Sequence, residues 1–386
     1  MLLLATKVWE QRKLGNLFNE RKEKSTKGEL LSVTLSNGVT KFSDLNKKDN
    51  SNIKSGNYKV VKKNDIPYNS MRMWQGASGV SSYDGIVSPA YTVLVPNSNS
   101  NSNFYAVLFK KKSILNLFTR FSQGLTSDTW NLKYPILKDI IVPFTNLEEQ
   151  KRIFKIFNVI NNLLALYAKK SSCLDSCIAY FIRILYDDPQ FFKQKNVQNS
   201  IIKSFKLDDI LIKNNAKNKD LSILNVESIS NKKGFISQKE QFDNYQVASK
   251  DLSNYYVIHP KDFAYNPSRI NVGSIAYKSP NDVKGIVSPL YVSFKCKNNI
   301  VLDKYLWHWF KSTNFEHQRV RLSEGGVRDI LSFNQLSKMK ISIPSFEIQR
   351  QTINLLEILI QYKEEVDLKL NNLKLIKNTL LQSMFL

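Results

Sequence analysis

An internal repeat constrains the fold of this chain more than any other feature of its sequence. The pentapeptide Gly-Ile-Val-Ser-Pro occurs at residues 85–89 and again at residues 285–289. Further landmarks surround it in the same order in both halves, namely Tyr68-Asn69-Ser70-Met71-Arg72 and Tyr265-Asn266-Pro267-Ser268-Arg269, residues 140–143 and 341–344, and the Glu/Gln segments 148–150 and 347–349. A constant order at a nearly constant spacing indicates one unit of roughly 200 residues that is used twice.

Each predicted unit has a mixed part followed by a long helix. Short β-like runs alternate with polar turns in residues 1–146 and 197–345, which predicts an α/β or α+β fold for both parts. Apolar residues at three-four spacing then run through residues 147–196 and 346–386. This spacing predicts one helix in each segment, about 38 residues or roughly 57 Å long.

The apolar stripes of the two predicted helices need a partner. Neither helix has another long amphipathic helix in its own half of the sequence. We therefore expect the two helices to pair as an antiparallel coiled coil, with two pseudo-symmetric globular domains separated by them. The alternative is that each helix packs on its own globular domain.

Basic residues are concentrated in the two mixed parts. The chain carries 56 Lys and Arg against 33 Asp and Glu, a net charge of +23. Residues 1–146 hold +11 of this charge and residues 197–345 hold +9, whereas the two helical segments hold +3 and 0. Two basic domains joined by nearly neutral helices indicate two separate contacts with a polyanion, and they exclude an acidic chaperone.

The sequence lacks the motifs of enzymes that act on DNA or nucleotides. It has no glycine-rich cofactor loop and no P-loop. Its nearest match to the Asn-Pro-Pro-aromatic loop of an amino-methyltransferase is at residues 266–269, which lack the second proline and the aromatic residue, so we interpret this segment as a structural turn. The three histidines have no metal-ligand spacing, and Cys173 with Cys177 lacks a second pair. The chain is therefore predicted to have no catalytic site and no metal site.

Cysteine usage and hydropathy limit the cellular compartment. The three cysteines have no spacing typical of a disulfide framework, and no stretch of about 18 apolar residues occurs. These features predict a soluble cytoplasmic protein that does not associate with membranes.

Taken together, these features resemble the specificity subunit of type I restriction-modification systems. The resemblance covers essentially the whole chain, and it is carried by the opening Trp9-Glu10-Gln11-Arg12-Lys13-Leu14, the two Gly-Ile-Val-Ser-Pro blocks and the two proline-to-Glu/Gln transitions into long helices. One departure is that the second unit has Phe205-Lys206-Leu207-Asp208-Asp209 in place of that opening. This leaves the alignment near residues 200–215 open.

The resemblance implies a non-catalytic subunit that recognises double-stranded DNA. It implies target-recognition domains at residues 1–146 and 197–345, each contacting one half of a bipartite asymmetric site, and spacer helices at residues 147–196 and 346–386. The implied partners are two methyltransferase subunits, which use S-adenosylmethionine to methylate adenine. A restriction subunit that uses ATP and Mg²⁺ is a further partner whose presence the sequence leaves open. This chain itself is expected to hold no cofactor.

Candidate DNA-contacting residues are chosen by side-chain chemistry. Arg pairs with guanine and Asn or Gln with adenine, Lys, Arg and hydroxyl groups contact phosphates, and glycine loops allow close approach of the backbone. In the first domain they are Arg72, Trp74, Gln75, Lys110, Lys111, Lys112, Gln123, Gly124, Thr126 and Ser127. In the second domain they are Arg269, Asn271, Arg319, Arg321, Gly325, Gly326 and Arg328. Because Arg72 and Arg269 recur at matching places, a scaffold or phosphate role is favoured for them over base recognition.

Two other functions stay open on the sequence alone. A free-standing methyltransferase or nuclease is disfavoured by the missing motifs, and activity of the purified chain would support it. A stand-alone basic coiled-coil protein that binds DNA or RNA also fits the net charge. A preference for single-stranded RNA over duplex DNA at matched salt would support that alternative.

The charge distribution predicts a strong salt dependence of duplex binding. Each phosphate contact releases a condensed counterion, so the affinity should fall about a thousandfold or more between 50 and 200 mM salt if six or more contacts form. Fluorescence anisotropy with a labelled duplex at several salt concentrations measures this slope. A flat response would contradict the electrostatic interpretation.

Overall fold

The chain folds into two compact units. The computed structural model describes residues 9–45, 53, 57–188, 202–231, 234–237, 251–297, 299–323 and 330–385. Unit 1 comprises Met1–Lys169 and Asp367–Leu386, and unit 2 comprises Lys170–Val366. These units are defined by which residues pack together. The predicted boundaries after residues 146, 196 and 345 instead separate recognition domains from spacer helices, and they stay a prediction.

Unit 1 combines short strands with small helices around one main core. Its described strands are β1 (Glu10–Lys13), β2 (Phe18–Glu20), β3 (Leu31–Thr34), β4 (Gly38–Lys41), β5 (Lys59–Val61), β6 (Ile66–Asn69), β7 (Gly85–Val87), β8 (Tyr91–Pro96) and β9 (Ile141–Phe144). Its described helices are α1 (Ser102–Leu108), α2 (Lys112–Phe121), α3 (Tyr134–Leu137) and the first part of α4 (Leu147–Ile182). Strands β2, β8 and β6 form an antiparallel sheet, while β1 pairs with β9, β3 with β4 and β5 with β7.

Unit 2 repeats this arrangement with longer sheets. Its described strands are β10 (Lys203–Lys206), β11 (Leu211–Lys213), β12 (Val226–Ser230), β13 (Gly234–Ser237), β14 (Tyr256–Ile258), β15 (Phe263–Tyr265), β16 (Ile275–Tyr277), β17 (Gly285–Val287), β18 (Val292–Cys296) and β19 (Lys340–Ile343). Its described helices are α5 (Leu207–Ile210), α6 (Asp303–Trp309), α7 (Thr313–Leu322), α8 (Phe333–Ser337) and most of α9 (Phe346–Ser383). The sheet orders are β11-β18-β15-β16 and β13-β12-β17-β14, and β10 pairs with β19.

Polar side chains start three of the short helices. The side chain of Asn101 accepts a hydrogen bond from the backbone N–H of Phe104 at the start of α1, at 3.0 Å. Ser312 caps α7 in the same way, and Ser332 with Gln335 forms a capping box at α8. Such caps satisfy N–H groups that the first helical turn leaves without partners, so the sequence itself defines where these helices begin.

The two-stranded ribbons settle the alignment that the sequence left open. Strand β1 pairs with β9 so that Gln11 lies opposite Pro143, and β10 pairs with β19 so that Ser204 lies opposite Ser342. In both units the next residue is a fully buried leucine, whose N–H donates to a backbone carbonyl just before the second ribbon strand. These leucines are Leu14, at 2.9 Å, and Leu207, at 2.8 Å. Residues 203–207 therefore correspond to residues 10–14, and residues 340–343 correspond to residues 141–144. The repeat pattern aligns residues 140–143 with 341–344, but this register is wrong by two residues, because Pro143 is equivalent to Ser342.

The glycine of the repeated pentapeptide is required by close packing. A Cβ atom at Gly85 would collide with the carbonyl oxygen of Glu29, and one at Gly285 would lie 2.6 Å from a carboxylate oxygen of Glu227. The residues after these glycines pair in parallel with a neighbouring segment in both units. A Cβ atom is therefore excluded by a backbone carbonyl at Gly85 and by the buried Glu227 side chain at Gly285, which explains why a glycine recurs at this place.

The long helices are antiparallel, as predicted. Helix α4 continues into a π-helical turn at Arg183–Asp187, and residues 189–196 of the predicted helix lie outside the described residues. Within unit 2, the late residue Ile182 shares a core cluster with the early residues Ile348 and Leu356 of α9. The Lys170 ammonium lies 4.6 Å from the ring centroid of Tyr362, further along α9. Contacts that advance along one helix and retreat along the other define an antiparallel pair.

Each long helix ends in the core of the other repeat. The second long helix ends in the core of unit 1, and the first ends in the core of unit 2. In unit 1, Phe385 is 1% exposed and its ring packs 5.4 Å from Phe104. In unit 2, the Tyr186 ring lies 4.8 Å from that of Tyr305, and its hydroxyl donates to the Tyr305 carbonyl at 3.0 Å. The expectation that the helices pair is confirmed, and their last turns also complete the two cores.

One buried glutamine at the start of each long helix holds the adjacent loop. Gln150 is fully buried, and its Oε1 accepts from the N–H of Asn101 at 2.8 Å, while its Nε2 donates to the carbonyls of Asn99 and Thr145 at 3.0 and 2.7 Å. Gln349 repeats these contacts with the N–H of Leu302 and the carbonyls of Ile300 and Pro344. The Glu/Gln landmark of the repeat therefore has a structural role.

Replacing Gln349 by leucine should destabilise the protein by about 2–4 kcal/mol, because one buried N–H and two carbonyls lose their partner. Urea unfolding monitored by circular dichroism measures this change. The matched control is Gln351→Leu, since Gln351 is exposed and bonds only to Glu347 in the described contacts. Equal effects of the two substitutions would contradict the role assigned to Gln349.

Candidate nucleic-acid interface

The predicted residues Arg72 and Arg269 occupy the same turn in the two units. Arg72 (φ −127°, ψ 13°) precedes a short 3₁₀ turn that ends at Gly76, and Arg269 (φ −134°, ψ 10°) precedes one that ends at Gly273. Both glycines lie in the left-handed region, with φ of 88° and 85°. A side chain would be strained there, so the spacing from arginine to glycine is fixed by the backbone.

Hydrogen bonds hold both turns against the fold. Asn69 Oδ1 accepts from the N–H of Met71 at 3.1 Å, and Asn266 Oδ1 accepts from that of Ser268 at 3.0 Å. The tyrosine before each asparagine is fully buried and donates its hydroxyl to a leucine carbonyl, that of Leu132 or Leu331, at 2.9 and 3.0 Å. The Tyr-Asn pair therefore serves as a scaffold, and residues 266–269 form a structural turn.

The side chains beyond the scaffold are available at the surface of unit 1. Arg72 is exposed, and its guanidinium lies 3.4 Å from the amide oxygen of Gln75. Trp74 is half-buried, with its indole N–H donating to the Met71 carbonyl at 3.1 Å. Its ring packs edge to face on Trp130, with 5.2 Å between the centroids.

The contact with Trp130 brings a second predicted segment to this turn. Gln123 and Asn131 exchange two backbone hydrogen bonds, of 3.0 and 2.8 Å, which close the loop between them. The predicted residues Gln123, Gly124, Thr126 and Ser127 are all exposed on this loop, and Leu125 at its tip is 100% exposed. Two segments chosen separately in the sequence therefore form one surface in unit 1.

The lysine cluster of unit 1 is divided between support and exposure. Lys110 donates from Nζ to the carbonyls of Gly76 and Ser78, the latter at 3.2 Å, and burial lowers its pKa. Lys111 donates to the carbonyl of Phe385, and burial also lowers its pKa. Lys112 is exposed. No local sequence pattern predicts these contacts, because they join residues far apart in the chain.

In unit 2 the turn borders a cavity of ≈ 440 Å³. Residues 266–269 line this cavity together with Leu290, which follows the second Gly-Ile-Val-Ser-Pro block. Arg269 and Asn271 are both exposed beside it. The repeated pentapeptide is therefore adjacent to the arginine turn in this unit.

The remaining predicted residues of unit 2 divide in three ways. Arg319 is 4% exposed and binds the carboxylate of Glu316 at 2.6 and 2.8 Å, so it does not present its guanidinium to a ligand. Its position, four residues after the buried Phe315 on α7, indicates the inner face of that helix. Arg321 is exposed. Gly325, Gly326 and Arg328 lie outside the described residues.

Within the described residues, no group of three or more His, Cys, Asp and Glu is arranged to hold a metal ion. No described helix is both long enough and apolar enough to cross a membrane.

The sequence matches a known family over most of its length. The family model for the type I restriction modification DNA specificity domain matches residues 6–176 and, a second time, residues 199–375. The chain therefore belongs to the family of type I restriction-modification specificity proteins, which confirms the resemblance. None of the curated proteins compared with the chain matches it.

Two solved structures share the fold, and a third is similar at a lower score. The type I restriction-modification S subunit from M. genitalium has a TM-score of 0.62 at 17% identity, and the match covers 100% of this chain and 98% of that one. A chain from a study of complex assembly and conformational transition of the type I R-M system has a TM-score of 0.55 at 12% identity, covering 97% and 96%. The HsdS subunit from Thermoanaerobacter tengcongensis has a TM-score of 0.48 at 13% identity, covering 97% and 95%.

Replacing Lys110 by methionine should lower the free energy of unfolding by about 1–2 kcal/mol, because the carbonyls of Gly76 and Ser78 lose the hydrogen bonds from its Nζ. Replacing the exposed Lys112 by methionine should change it by less than about 0.5 kcal/mol. Urea unfolding compares the two variants. A larger effect at Lys112 would contradict the supporting role of Lys110.

Proposed function

We propose that this chain is the DNA-recognising subunit of a type I restriction-modification complex. Each unit contacts one half of a bipartite asymmetric site on double-stranded DNA. The chain performs no chemistry, and two methyltransferase subunits that bind S-adenosylmethionine methylate adenine within the site. Restriction subunits that require ATP and Mg²⁺ join where the complex also cleaves DNA.

One observation supports this proposal above all others: the two units share one turn but differ in its side chains. Arginine stands at the first position in both. The third and fourth positions are Trp74 and Gln75 in unit 1, but Asn271 and Val272 in unit 2. An identical backbone that presents different groups is suited to recognise two different sequences in equivalent ways.

The chemistry of these side chains suits duplex DNA. An arginine common to both turns can pair with a phosphate whatever the sequence, or with the O6 and N7 atoms of guanine. Gln75 and Asn271 carry amides, which pair with the N6 and N7 atoms of adenine in the major groove. The net charges of +11 and +9 in the two mixed parts of the chain supply the attraction that does not depend on sequence.

The fold of the similar structures supports the assembly part of the proposal. One similar chain comes from a study of complex assembly in a type I R-M system. The paired helices α4 and α9 carry exposed apolar residues along their length, including Leu166, Leu368 and Leu375. We assign this helical surface, with nearby parts of the units, to the docking of methyltransferase subunits.

A stand-alone protein that binds DNA or RNA without modification partners is the alternative. The net charge fits it equally well, since phosphates of DNA and RNA attract lysine and arginine alike. The turn with two different sets of side chains favours a bipartite duplex site, because RNA-binding domains typically stack unpaired bases on exposed aromatic rings. Unit 1 has a half-buried aromatic ring at this turn, that of Trp74. Unit 2 has Asn271 at the same position, so the turn does not offer an aromatic ring for stacking in both units.

A methylome tests the proposal. The chain is expressed with the methyltransferase subunit encoded beside it in a host without modification, and modified adenines are mapped by long-read sequencing. A two-part asymmetric motif with an unspecified gap is the expected result. The absence of any motif, with both proteins soluble and associated, would contradict the proposal.

The double substitution Trp74→Asn with Gln75→Val then gives unit 1 the side chains of unit 2 on the same backbone. It should change or abolish only one half of the motif. Lys112→Ala removes at most a phosphate contact, which carries no sequence information, so it should leave the bases of both halves unchanged. A change in both halves would contradict separate recognition by the two units.

A further inference from the structure

A basic groove on unit 2 is lined by residues other than those of the arginine turn. Its volume is ≈ 380 Å³, and its lining includes Ser204, His317, Gln318, Arg321, Lys340 and Ser342. Among the described residues that line it there is no aspartate or glutamate. The groove therefore offers an arginine, a lysine, a histidine and two serine hydroxyls. The carboxylates of Asp187 and Asp188 line the adjoining cavity, which shares His317 with the groove, and that of Asp187 accepts hydrogen bonds from the N–H groups of Thr313 and Asn314.

Hydrogen bonds fix the position of the helix and the strand that line the groove. The side chain of Gln318 donates to the carbonyl of Lys340 at 2.8 Å and accepts from its N–H at 2.7 Å, which fixes helix α7 against strand β19. His317 and Arg321 are four residues apart on α7 and so project from one face of the helix. These contacts place cationic groups from a helix and from a strand around one space.

The cationic groups face solvent. His317, Arg321 and Lys340 are all exposed. The acidic residue on the same helix, Glu316, is paired with Arg319 at 2.6 Å. A ligand that enters the groove therefore meets donors that project into solvent, and the helix offers it no unpaired carboxylate in the described structure.

Unit 1 has a different set of residues at the corresponding positions. Helix α2 and strand β9 match α7 and β19 in place and burial pattern. The counterparts of His317, Arg321 and Lys340 are Asn116, Arg120 and Ile141, and those of Gln318 and Ser342 are Leu117 and Pro143. The histidine, the lysine and the bridging amide are absent at these positions, so the groove belongs to unit 2 and not to the repeat.

We infer that this groove binds a phosphate group, carried either by the DNA backbone or by a free nucleotide. A guanidinium, an ammonium and hydroxyl donors are the groups that bind phosphate oxygens with charge-assisted hydrogen bonds. The ring N–H of His317 is a further donor. If the phosphate belongs to a free nucleotide, the inference does not depend on the proposed function. If the phosphate belongs to the DNA backbone, the inference rests on the proposed function and names additional contacts that only unit 2 makes.

The first test uses the full chain with small probes. AMP and inorganic phosphate are titrated by isothermal calorimetry, with adenosine as the probe that lacks phosphate. If the source is a free nucleotide, AMP binds and adenosine does not, and Arg321→Ala or Lys340→Ile weakens AMP about tenfold. Arg120→Ala, which changes the counterpart in unit 1, is the matched control and leaves AMP binding unchanged.

The second test uses duplex DNA that carries the mapped motif. If the source is the backbone, Arg321→Ala and Lys340→Ile each weaken binding and reduce the slope of log affinity against log salt by about 0.9, as expected for one lost phosphate contact. The bases recognised stay the same, because a phosphate contact carries no sequence information. Thermal melting shows that the variants are folded.

The outcomes separate this inference from the proposed function. If the unaltered chain with its partner binds no duplex specifically, the proposed function fails, and AMP binding still decides the inference about the groove. If Arg321→Ala and Lys340→Ile behave like Arg120→Ala in both tests, the groove binds no phosphate and the inference is overturned. Loss in either test alone supports it and identifies the source of the phosphate.

Discussion

The burial of the last turn of each long helix is the interaction on which the two units depend. In unit 1 the ring of Phe385 packs against Trp9, Phe104 and Phe157, and in unit 2 Tyr186 packs against Tyr305. These aromatic residues are among the largest contributors of buried apolar area in their cores. Because the residues that close one core come from the far end of a helix that begins in the other half of the sequence, neither repeat completes its core by itself. The antiparallel pairing of the helices follows from this exchange.

Much of this arrangement could be predicted, because it follows from the spacing of apolar residues and from the order of the repeated segments along the chain. The three-four spacing gave the long helices, and the requirement to bury their stripes gave the antiparallel pair. The bonds of Gln150 and Lys110 could not be predicted, because they reach backbone groups 49 and 34 residues away whose positions no local pattern specifies. Arg319 was selected for its charge, although four-residue spacing from Phe315 already indicated the inner face of its helix.

The two repeats keep the residues that backbone geometry requires. A glycine remains where a side chain would collide or be strained, as at Gly85 and Gly285, and a glutamine remains where buried backbone groups need its amide, as at Gln150 and Gln349. Interior side chains can differ between the repeats when the new side chains supply each other's hydrogen-bond and charge partners. Leu31 packs beside Gly85 in unit 1, whereas the corresponding place in unit 2 holds the buried ion pair of Glu227 with Lys278, at 2.6 Å. A buried charge is tolerated there because its partner is buried with it.

Surface positions differ between the repeats on a backbone that stays the same. The half-buried Trp74 is replaced by the exposed Asn271 on an unchanged turn, and the exposed Ile141 by the exposed Lys340 on an unchanged strand. Substitutions at exposed positions contribute little to stability in either direction, so the fold neither demands nor forbids them. A ligand, by contrast, meets these side chains first. If the two units bound identical half-sites, their exposed turns would need the same groups. The retention of the backbone with a change of its exposed groups is therefore the arrangement expected of two recognition surfaces that bind different sequences.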